Sequence, residues 1–137
     1  MALWVFKQEP TCYSFADLQR DGRTVWDGVN NALARKYLRQ IRRGDRILFY
    51  HTGKDKAVVG EMRAISDARE APATDDPHAV AVEVEAVRAL ARPVTLAEIK
   101  ADKALATWDL ARLPRLSVAP ATEAQWRRIE EMSEAKG

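Results

Sequence analysis

The stretch Gly44–His51 reads Gly-Asp-Arg-Ile-Leu-Phe-Tyr-His, and it decides the fold. Its run of β-branched and aromatic residues predicts a strand over Arg46–His51. The Gly-Asp pair in front of it ends a preceding helix, and Gly53–Lys56 behind it predicts a turn. That turn leads into a second predicted strand, Ala57–Ile65, in which Gly60 indicates a bulge or a close backbone approach.

A one-sided basic helix is predicted over Asn31–Arg43, directly upstream. One arc of this helix is apolar at helical spacing and carries Ala34, Tyr37, Leu38 and Ile41. The opposite arc carries only cations: Arg35, Lys36, Arg39, Arg42 and Arg43. No acid lies between Asp27 and Asp45, so these cations have no local partner. The arc is either a solvated face or a surface that contacts phosphates.

The rest of the chain predicts short strands separated by short helices. Strands are expected over Leu3–Lys7, Val80–Val87 and Arg115–Val118. Helices are expected after three side-chain caps, which are Ser14 with Asp17, Thr95 with Glu98, and Thr122 with Gln125. The polar stretch 67–78 is expected to be a loop. The pattern predicts a small, mostly antiparallel α+β barrel rather than a doubly wound sheet.

Length, charge and cysteine content narrow the class of protein. The 137 residues suit a single domain over 1–137 with one core. The net charge is only +2, so any attraction to nucleic acid must come from local clustering. The single cysteine, Cys12, excludes an internal disulfide. No apolar run is long enough for a bilayer and no signal peptide is recognisable, so we expect a cytoplasmic protein, or a nuclear one in a eukaryote, with no membrane partner.

Motifs for catalysis, cofactors and metals are missing from the sequence. His51 and His78 are far apart and a single cysteine completes no zinc set, so no metal site is expected. There is no phosphate loop, dinucleotide fingerprint or nucleophile elbow, so no cofactor is expected either. A Cys12–His51 dyad is conceivable but has no local signature. The sequence therefore favours a non-catalytic binding module.

Two aromatic residues stand next to turns. Trp26 precedes Asp27-Gly28 and is predicted to lie in the turn itself, while Tyr50 stands near the end of a predicted strand. Each ring has two interpretations: a lid on the core, or a wall on which a planar ligand stacks. In the second case Asn30 or Asn31 is close enough in sequence to hydrogen-bond a base edge.

Five short blocks, taken together, resemble a known family. They are Trp4-Val-Phe-Lys-Gln-Glu-Pro10, Trp26-Asp-Gly-Val-Asn-Asn31, Gly44–His51, Val58-Val-Gly60 and Arg115-Leu-Ser-Val-Ala-Pro120. Their order and content are similar to those of the EVE domain family, of the thymocyte nuclear protein type, within the PUA-like superfamily. The resemblance extends from Ala2 to about Ile129. Asn30 stands where the family usually has arginine.

The resemblance implies a fold, a function and a set of site residues. EVE domains have a small curved β-barrel flanked by short helices, and they are similar to YTH domains, which read a methylated base in an aromatic cage. They are implicated in reading modified cytosine in DNA, such as 5-methylcytosine, and are regarded as binders rather than enzymes. Transferred by motif, the pocket comprises Lys7, Glu9, Pro10, Trp26, Asp27, Asn30, Asn31, Tyr50, His51 and Ser117.

The combined hypothesis is a reader of modified bases. The basic helix would hold the phosphate backbone, and a base leaving the stack would enter between Trp26 and the Phe49–His51 strand end. DNA is favoured over RNA as the partner. Three alternatives stay open: a binder of modified RNA, a small hydrolase that uses Cys12 or His51, and a protein-interaction module.

Overall fold

The computed structural model describes residues 1–72 and 75–134, which form seven strands and five helices. The strands are β1 (Leu3–Gln8), β2 (Arg23–Trp26), β3 (Arg46–His51), β4 (Ala57–Ala64), β5 (Arg69–Glu70), β6 (Val80–Thr95) and β7 (Val118–Ala121). The helices are α1 (Phe15–Asp21), α2 (Ala32–Leu38), α3 (Leu96–Ala101), α4 (Asp109–Arg112) and α5 (Glu123–Glu134). None of these described helices has the length and apolar character needed to cross a membrane.

The strands form one mixed sheet in the order β2-β6-β4-β3-β1-β7, with β5 paired to β6. Among the described strands only β1 and β3 run parallel, and the other pairings are antiparallel. The predicted α+β class and the mostly antiparallel sheet are therefore confirmed. The predicted closure into a barrel is not confirmed, because no ladder joins the terminal strands β2 and β7 within the described ranges.

The sheet separates two hydrophobic cores. Successive residues of β3 point to opposite faces, so Phe49 belongs to the first core while Leu48 and Tyr50 belong to the second. The first core is covered by α1 and α2, which contribute Phe15, Leu18, Ala34 and Leu38. The second is covered by α3, α4 and α5, which contribute Ile99, Leu110, Trp126 and Ile129.

The three predicted helix starts are confirmed by reciprocal hydrogen bonds. The Asp17 N–H donates to Ser14 Oγ at 3.0 Å, and the Ser14 N–H donates to the Asp17 carboxylate at 2.9 Å. Thr95 makes the same pair of bonds with Glu98, and Thr122 with Gln125. Two orphan amides are satisfied at each helix start, which fixes where the helix begins.

The predicted helix over Asn31–Arg43 is wrong in length, because α2 ends at Leu38. The cause is a long-range contact. The buried carboxylate of Asp45 accepts hydrogen bonds from the Arg42 N–H, the Trp4 Nε1–H and the Ala2 N–H, each at 3.0 Å. The chain after Leu38 must therefore turn instead of continuing the helix.

Other predicted boundaries also differ from the structure. Strand β6 extends well beyond Val87 to Thr95, and the last strand is Val118–Ala121 rather than Arg115–Val118. The segment 67–78, predicted as a loop, contains β5, while its residues 73–74 lie outside the described residues. Strand β2 was not predicted, because its four residues, Arg-Thr-Val-Trp, are too few to establish a period in the sequence.

Gly60 allows α1 to approach the sheet. A Cβ atom at this position would lie 2.4–2.6 Å from three atoms of the Phe15 ring. The hydrogen-bonding register shifts beside Gly60 in both pairings of β4, the one with β3 and the one with β6. The close approach predicted from the sequence at Gly60 is confirmed, and the neighbour is the first residue of α1.

We expect Gly60→Ala to destabilise the protein by about 1–3 kcal/mol, because the new methyl group overlaps the Phe15 ring. Urea denaturation of the two proteins measures the difference. In a double-mutant cycle with Phe15→Leu, the cost of Gly60→Ala should fall, since the ring atoms that clash are removed. Equal costs in both backgrounds would contradict the proposed contact.

Candidate nucleic-acid interface

Trp26 lies at the end of β2, opposite Val82 of β6, and not in the turn where it was predicted. The side chain is only 4% exposed. Its ring centroid is 5.1 Å from that of Phe6 and 5.4 Å from that of Phe49, with tilted and edge-on geometry. Such aromatic contacts stabilise a core. Trp26 is therefore a member of the first core, and Asp27-Gly28 begins the turn after it.

A cleft of about 210 Å³ opens beside this ring and is called the Trp26 cleft. It is lined by Gln8, Tyr13, Thr24, Val25, Trp26 and Asp27. Drug-sized ligands occupy pockets of about 300–1,000 Å³, so this cleft suits a single small planar group. Trp26 packs in the first core and also belongs to the lining of the cleft, and its role as a wall for a ligand stays a prediction.

The Trp26 cleft presents complementary polar groups. Asp27 is exposed, and its carboxylate is an acceptor. Gln8 Oε1 accepts from the Glu9 N–H at 2.9 Å, which fixes the amide and leaves its Nε2 without an acceptor among the described residues. Tyr13 donates its hydroxyl proton to Asp21 at 2.8 Å. The lining of the cleft therefore includes a charged acceptor, Asp27, and an oriented amide donor, Gln8.

Tyr50 does not share a pocket with Trp26, which corrects the sequence hypothesis. Because Phe49 faces Trp26, the next residue along β3 must point to the other face of the sheet. Tyr50 is buried there in the second core. The residues expected to form two sides of one pocket are thus separated by the sheet itself.

Lys7 is buried on the same face as Tyr50, and its Nζ lies 5.5 Å from that ring centroid. The ammonium donates to the backbone carbonyls of Leu110, Leu113 and Pro114 at 3.0–3.2 Å. Burial lowers the pKa of Lys7 to about 8. Its backbone N–H donates to the Ser117 carbonyl at 2.8 Å. In this structure Lys7 and Ser117 connect β1 to the segment after α4 and do not line the Trp26 cleft.

His51 is also occupied by the protein. Its Nε2 accepts from the Phe15 N–H at 3.0 Å, so the ring proton sits on Nδ1, which lies 3.0 Å from the Asp55 carboxylate. His51 therefore holds the first amide of α1. No hydrogen bond joins it to the exposed Cys12 in the part of the chain that the structure describes. Within those ranges no three metal-ligating side chains cluster either.

The remaining motif residues lie at the start of the β1–α1 loop and at the end of the β2–α2 loop. Glu9 accepts from Thr52 Oγ1 at 3.3 Å, and Pro10 follows it, half-buried. The Asn31 side chain accepts from the Ala34 N–H and caps α2. Asn30 Oδ1 lies 3.4 Å from Arg35 Nη2. These four residues shape the loops and are not in the lining of the Trp26 cleft.

The basic residues of the segment predicted as one helix, Asn31–Arg43, are partly neutralised, contrary to the sequence hypothesis. Arg35 forms an ion pair with Asp76 and donates to the Val29 carbonyl at 2.6 Å. Arg39 pairs with Glu70 at 3.1 Å. Both acids come from β5 and the segment after it, far along the chain. Lys36 is exposed on the helix, whereas Arg39, Arg42 and Arg43 lie beyond the end of α2.

Sequence reasoning missed four residues of the cleft lining: Gln8, Tyr13, Thr24 and Val25. A signal for Gln8 was present, since it follows Trp4 and Phe6 at alternate positions of a strand and must share their face. For Tyr13, Thr24 and Val25 the sequence contained no alternation that would have predicted which face they share.

The family is established by comparison with known proteins. The protein-family model of the EVE domain matches residues 2–132 of this chain. The chain belongs to the EVE domain family. Thymocyte nuclear protein 1 from human is 28% identical to this EVE domain, over 96% of this chain and 73% of the relative. The protein of the same name from rat is 30% identical, over 97% and 74%.

Solved structures of similar proteins share the fold. An NMR structure from Rhodopseudomonas palustris has a TM-score of 0.90 and 34% identity, covering 97% of this EVE domain and 93% of that chain. Human THYN1, solved in complex with 5-methylcytosine containing DNA, has a TM-score of 0.90 and 27% identity, with full coverage of both chains. A more distant ASCH protein from Zymomonas mobilis, at 14% identity and a TM-score of 0.67, shares only the fold.

We expect Trp26→Ala to lower the stability of this EVE domain by about 3–5 kcal/mol, because the ring contacts Phe6 and Phe49. Trp26→Phe should cost less, since a ring of similar shape remains. Calorimetric or denaturant unfolding measures both. An unchanged stability for Trp26→Ala would show that the ring contributes little to the first core.

We expect Arg35→Glu to cost about 1–3 kcal/mol, because it sets a carboxylate against Asp76 and leaves the Val29 carbonyl without its donor. Lys36→Glu on the exposed side of the same helix is the matched control and should change stability by less than about 0.5 kcal/mol. Equal melting temperatures for the two variants would contradict a structural role for Arg35.

Proposed function

We propose that this EVE domain is a non-catalytic nucleic-acid-binding module that reads a modified base in DNA, with 5-methylcytosine as the favoured candidate. The observation that carries the proposal is the Trp26 cleft, a small site whose lining combines the aromatic residues Tyr13 and Trp26 with the polar residues Gln8 and Asp27. The complex of human THYN1 with 5-methylcytosine containing DNA supports the choice of ligand. A base must leave the duplex to enter such a site.

The polar groups of the cleft suit the Watson–Crick edge of cytosine. The exocyclic amino group of cytosine is a donor that carboxylates accept from, and Asp27 provides an exposed carboxylate. The ring nitrogen and carbonyl of cytosine are acceptors, and the Gln8 Nε2 amide is a donor held in place through its own oxygen. Thymine carries a carbonyl in place of the amino group and would face Asp27 unfavourably.

The methyl group of 5-methylcytosine would lie against the apolar atoms of the cleft lining. Burying one methyl group contributes about 0.8 kcal/mol. This corresponds to about fourfold in affinity. Extrusion of the base costs a few kcal/mol and stacking returns about 1–3 kcal/mol. We therefore expect weak binding by a single domain, with a modest preference for the methylated base.

The motif-derived site residues divide into two groups under this proposal. Trp26 and Asp27 contact the base. Lys7, Glu9, Pro10, Asn30, Asn31, Tyr50, His51 and Ser117 hold the loops and strands that shape the cleft. Of the cations expected to contact the backbone, Lys36, Arg42 and Arg43 are available, whereas Arg35 and Arg39 pair with acids of the protein itself.

We expect Asp27→Ala to reduce discrimination between cytosine and thymine at the target position by about 1–3 kcal/mol, the usual value of a good base contact. Fluorescence anisotropy with labelled duplexes that differ only at that position measures the ratio. Affinity for the cytosine duplex should fall, since the acceptor for its amino group is lost, whereas affinity for the thymine duplex should not fall, since a negative charge is removed from a surface that binds a polyanion.

The matched control is Glu123→Gln on α5, which removes one negative charge on the other face of the sheet. It should leave base discrimination unchanged. Identical discrimination by Asp27→Ala and the parent protein would contradict the assignment of the cleft. Parallel titrations with an RNA of the same sequence decide between the DNA proposal and the modified-RNA alternative.

A further inference from the structure

A second basic surface lies at the other end of β2 and is formed by arginines that sequence analysis did not connect. It is an open groove of about 530 Å³ lined by Arg23, Arg43 and Arg63, together with Gly44 and Glu85. We call it the arginine groove. It is separate from the Trp26 cleft and shares no lining residue with it.

Strand register explains why these residues meet. Arg23 of β2 and Arg63 of β4 both lie opposite Glu85 of β6. Directly opposed residues of antiparallel strands share a face, so the three side chains form a row across the sheet. Arg43 joins them because the turn before β3 is tied to β4 by the Gly44 N–H, which donates to the Ala64 carbonyl at 2.8 Å.

The charges of the groove are only partly compensated. Arg63 forms an ion pair with Glu85. The guanidinium groups of Arg23 and Arg43 have no carboxylate partner among the described residues, and both residues are exposed. The groove therefore carries two guanidinium groups outside ion pairs, in contrast to Arg35 and Arg39, which are paired. Asp67 also lies beside Arg43, and its carboxylate accepts from the Arg43 backbone N–H at 2.8 Å. Uncompensated clustered cations attract polyanions.

The position of the groove suits the backbone of the same nucleic acid. Arg23 and Trp26 are the first and last residues of β2, and three steps along a strand span about 10 Å. Phosphates of one DNA strand follow each other at about 3.4 Å along the helix axis. Because Arg23 and Trp26 point to opposite faces of the sheet, a strand with one base in the cleft would cross the edge of the sheet at the terminal strand β2 to bring a phosphate a few nucleotides away to the arginine groove.

We infer that the arginine groove binds the sugar–phosphate backbone of the nucleic acid whose base occupies the Trp26 cleft. The inference rests on the proposed function for its ligand. Arg23 and Arg63 would contact the nucleic-acid backbone. Arg43, which the sequence placed on a helix face, would contact it from this groove instead. Backbone contacts position a protein without reading sequence, so the groove should contribute affinity and salt dependence and not preference for the methyl group.

The test is a salt titration with the full chain and a duplex oligonucleotide, methylated or unmethylated at one cytosine. The slope of log affinity against log salt becomes shallower by about 0.9 for each phosphate that the protein no longer neutralises. We therefore expect the Arg23→Gln, Arg43→Gln double variant to lower the slope by about 1.8 and to weaken binding to both duplexes equally. The Arg23→Lys, Arg43→Lys variant, which keeps both charges, should retain the slope.

The matched control is Arg127→Gln, which removes an exposed arginine on α5 outside the groove. Melting temperatures of all variants establish that they are folded. A slope equal to that of Arg127→Gln, with methyl preference intact, would overturn the groove while the proposed function stands. A reduced slope in a protein without methyl preference would support the groove and count against the base reader. No binding to either duplex at low salt would overturn both.

Discussion

The packing of Phe6, Phe15, Trp26 and Phe49 in the first core holds the candidate site together. Ring centroids 5.1–5.4 Å apart connect β1, α1, β2 and β3. The absence of a side chain at Gly60 admits the Phe15 ring, and His51 binds the amide of the same residue. The Trp26 cleft is therefore the outer edge of a rigid aromatic core. Such a cleft is largely preformed, which reduces the ordering cost of binding.

Compensation of charge distinguishes the basic surfaces of this protein. The cations predicted to share one helix face are not equivalent in the structure, because Arg35 forms an ion pair with Asp76 and Arg39 forms one with Glu70. Arg23 and Arg43 look isolated along the chain, yet they line one groove. An ion pair weakens the pull of an arginine on a distant phosphate, so a count of cations on a helix overestimates its field. The fold therefore places two arginines without ion-pair partners among the described residues, Arg23 and Arg43, in one groove at the start of β2.

Much of the fold was predictable, and the candidate site was predictable only in part. The central strand Arg46–His51, the three capped helix starts and the close approach at Gly60 all follow from local patterns. Trp26 and Asp27 were singled out and lie at the cleft. The expected partnership of Trp26 with Tyr50 failed because the two rings lie on opposite faces of the sheet.

Local sequence was enough to establish the alternation of strands, the caps of the helices and membership of the EVE domain family, because each depends on residues close together or on short ordered blocks. The end of α2, the pairing of its arginines, the lining of the Trp26 cleft and the row from Arg23 to Arg63 depend instead on the folded chain. The reason is physical. The carboxylate of Asp45, which turns the chain after Leu38, accepts hydrogen bonds from Ala2 and Trp4. The register of β6 places both Arg23 and Arg63 opposite Glu85. Contacts between distant segments carry no periodic signal in the sequence.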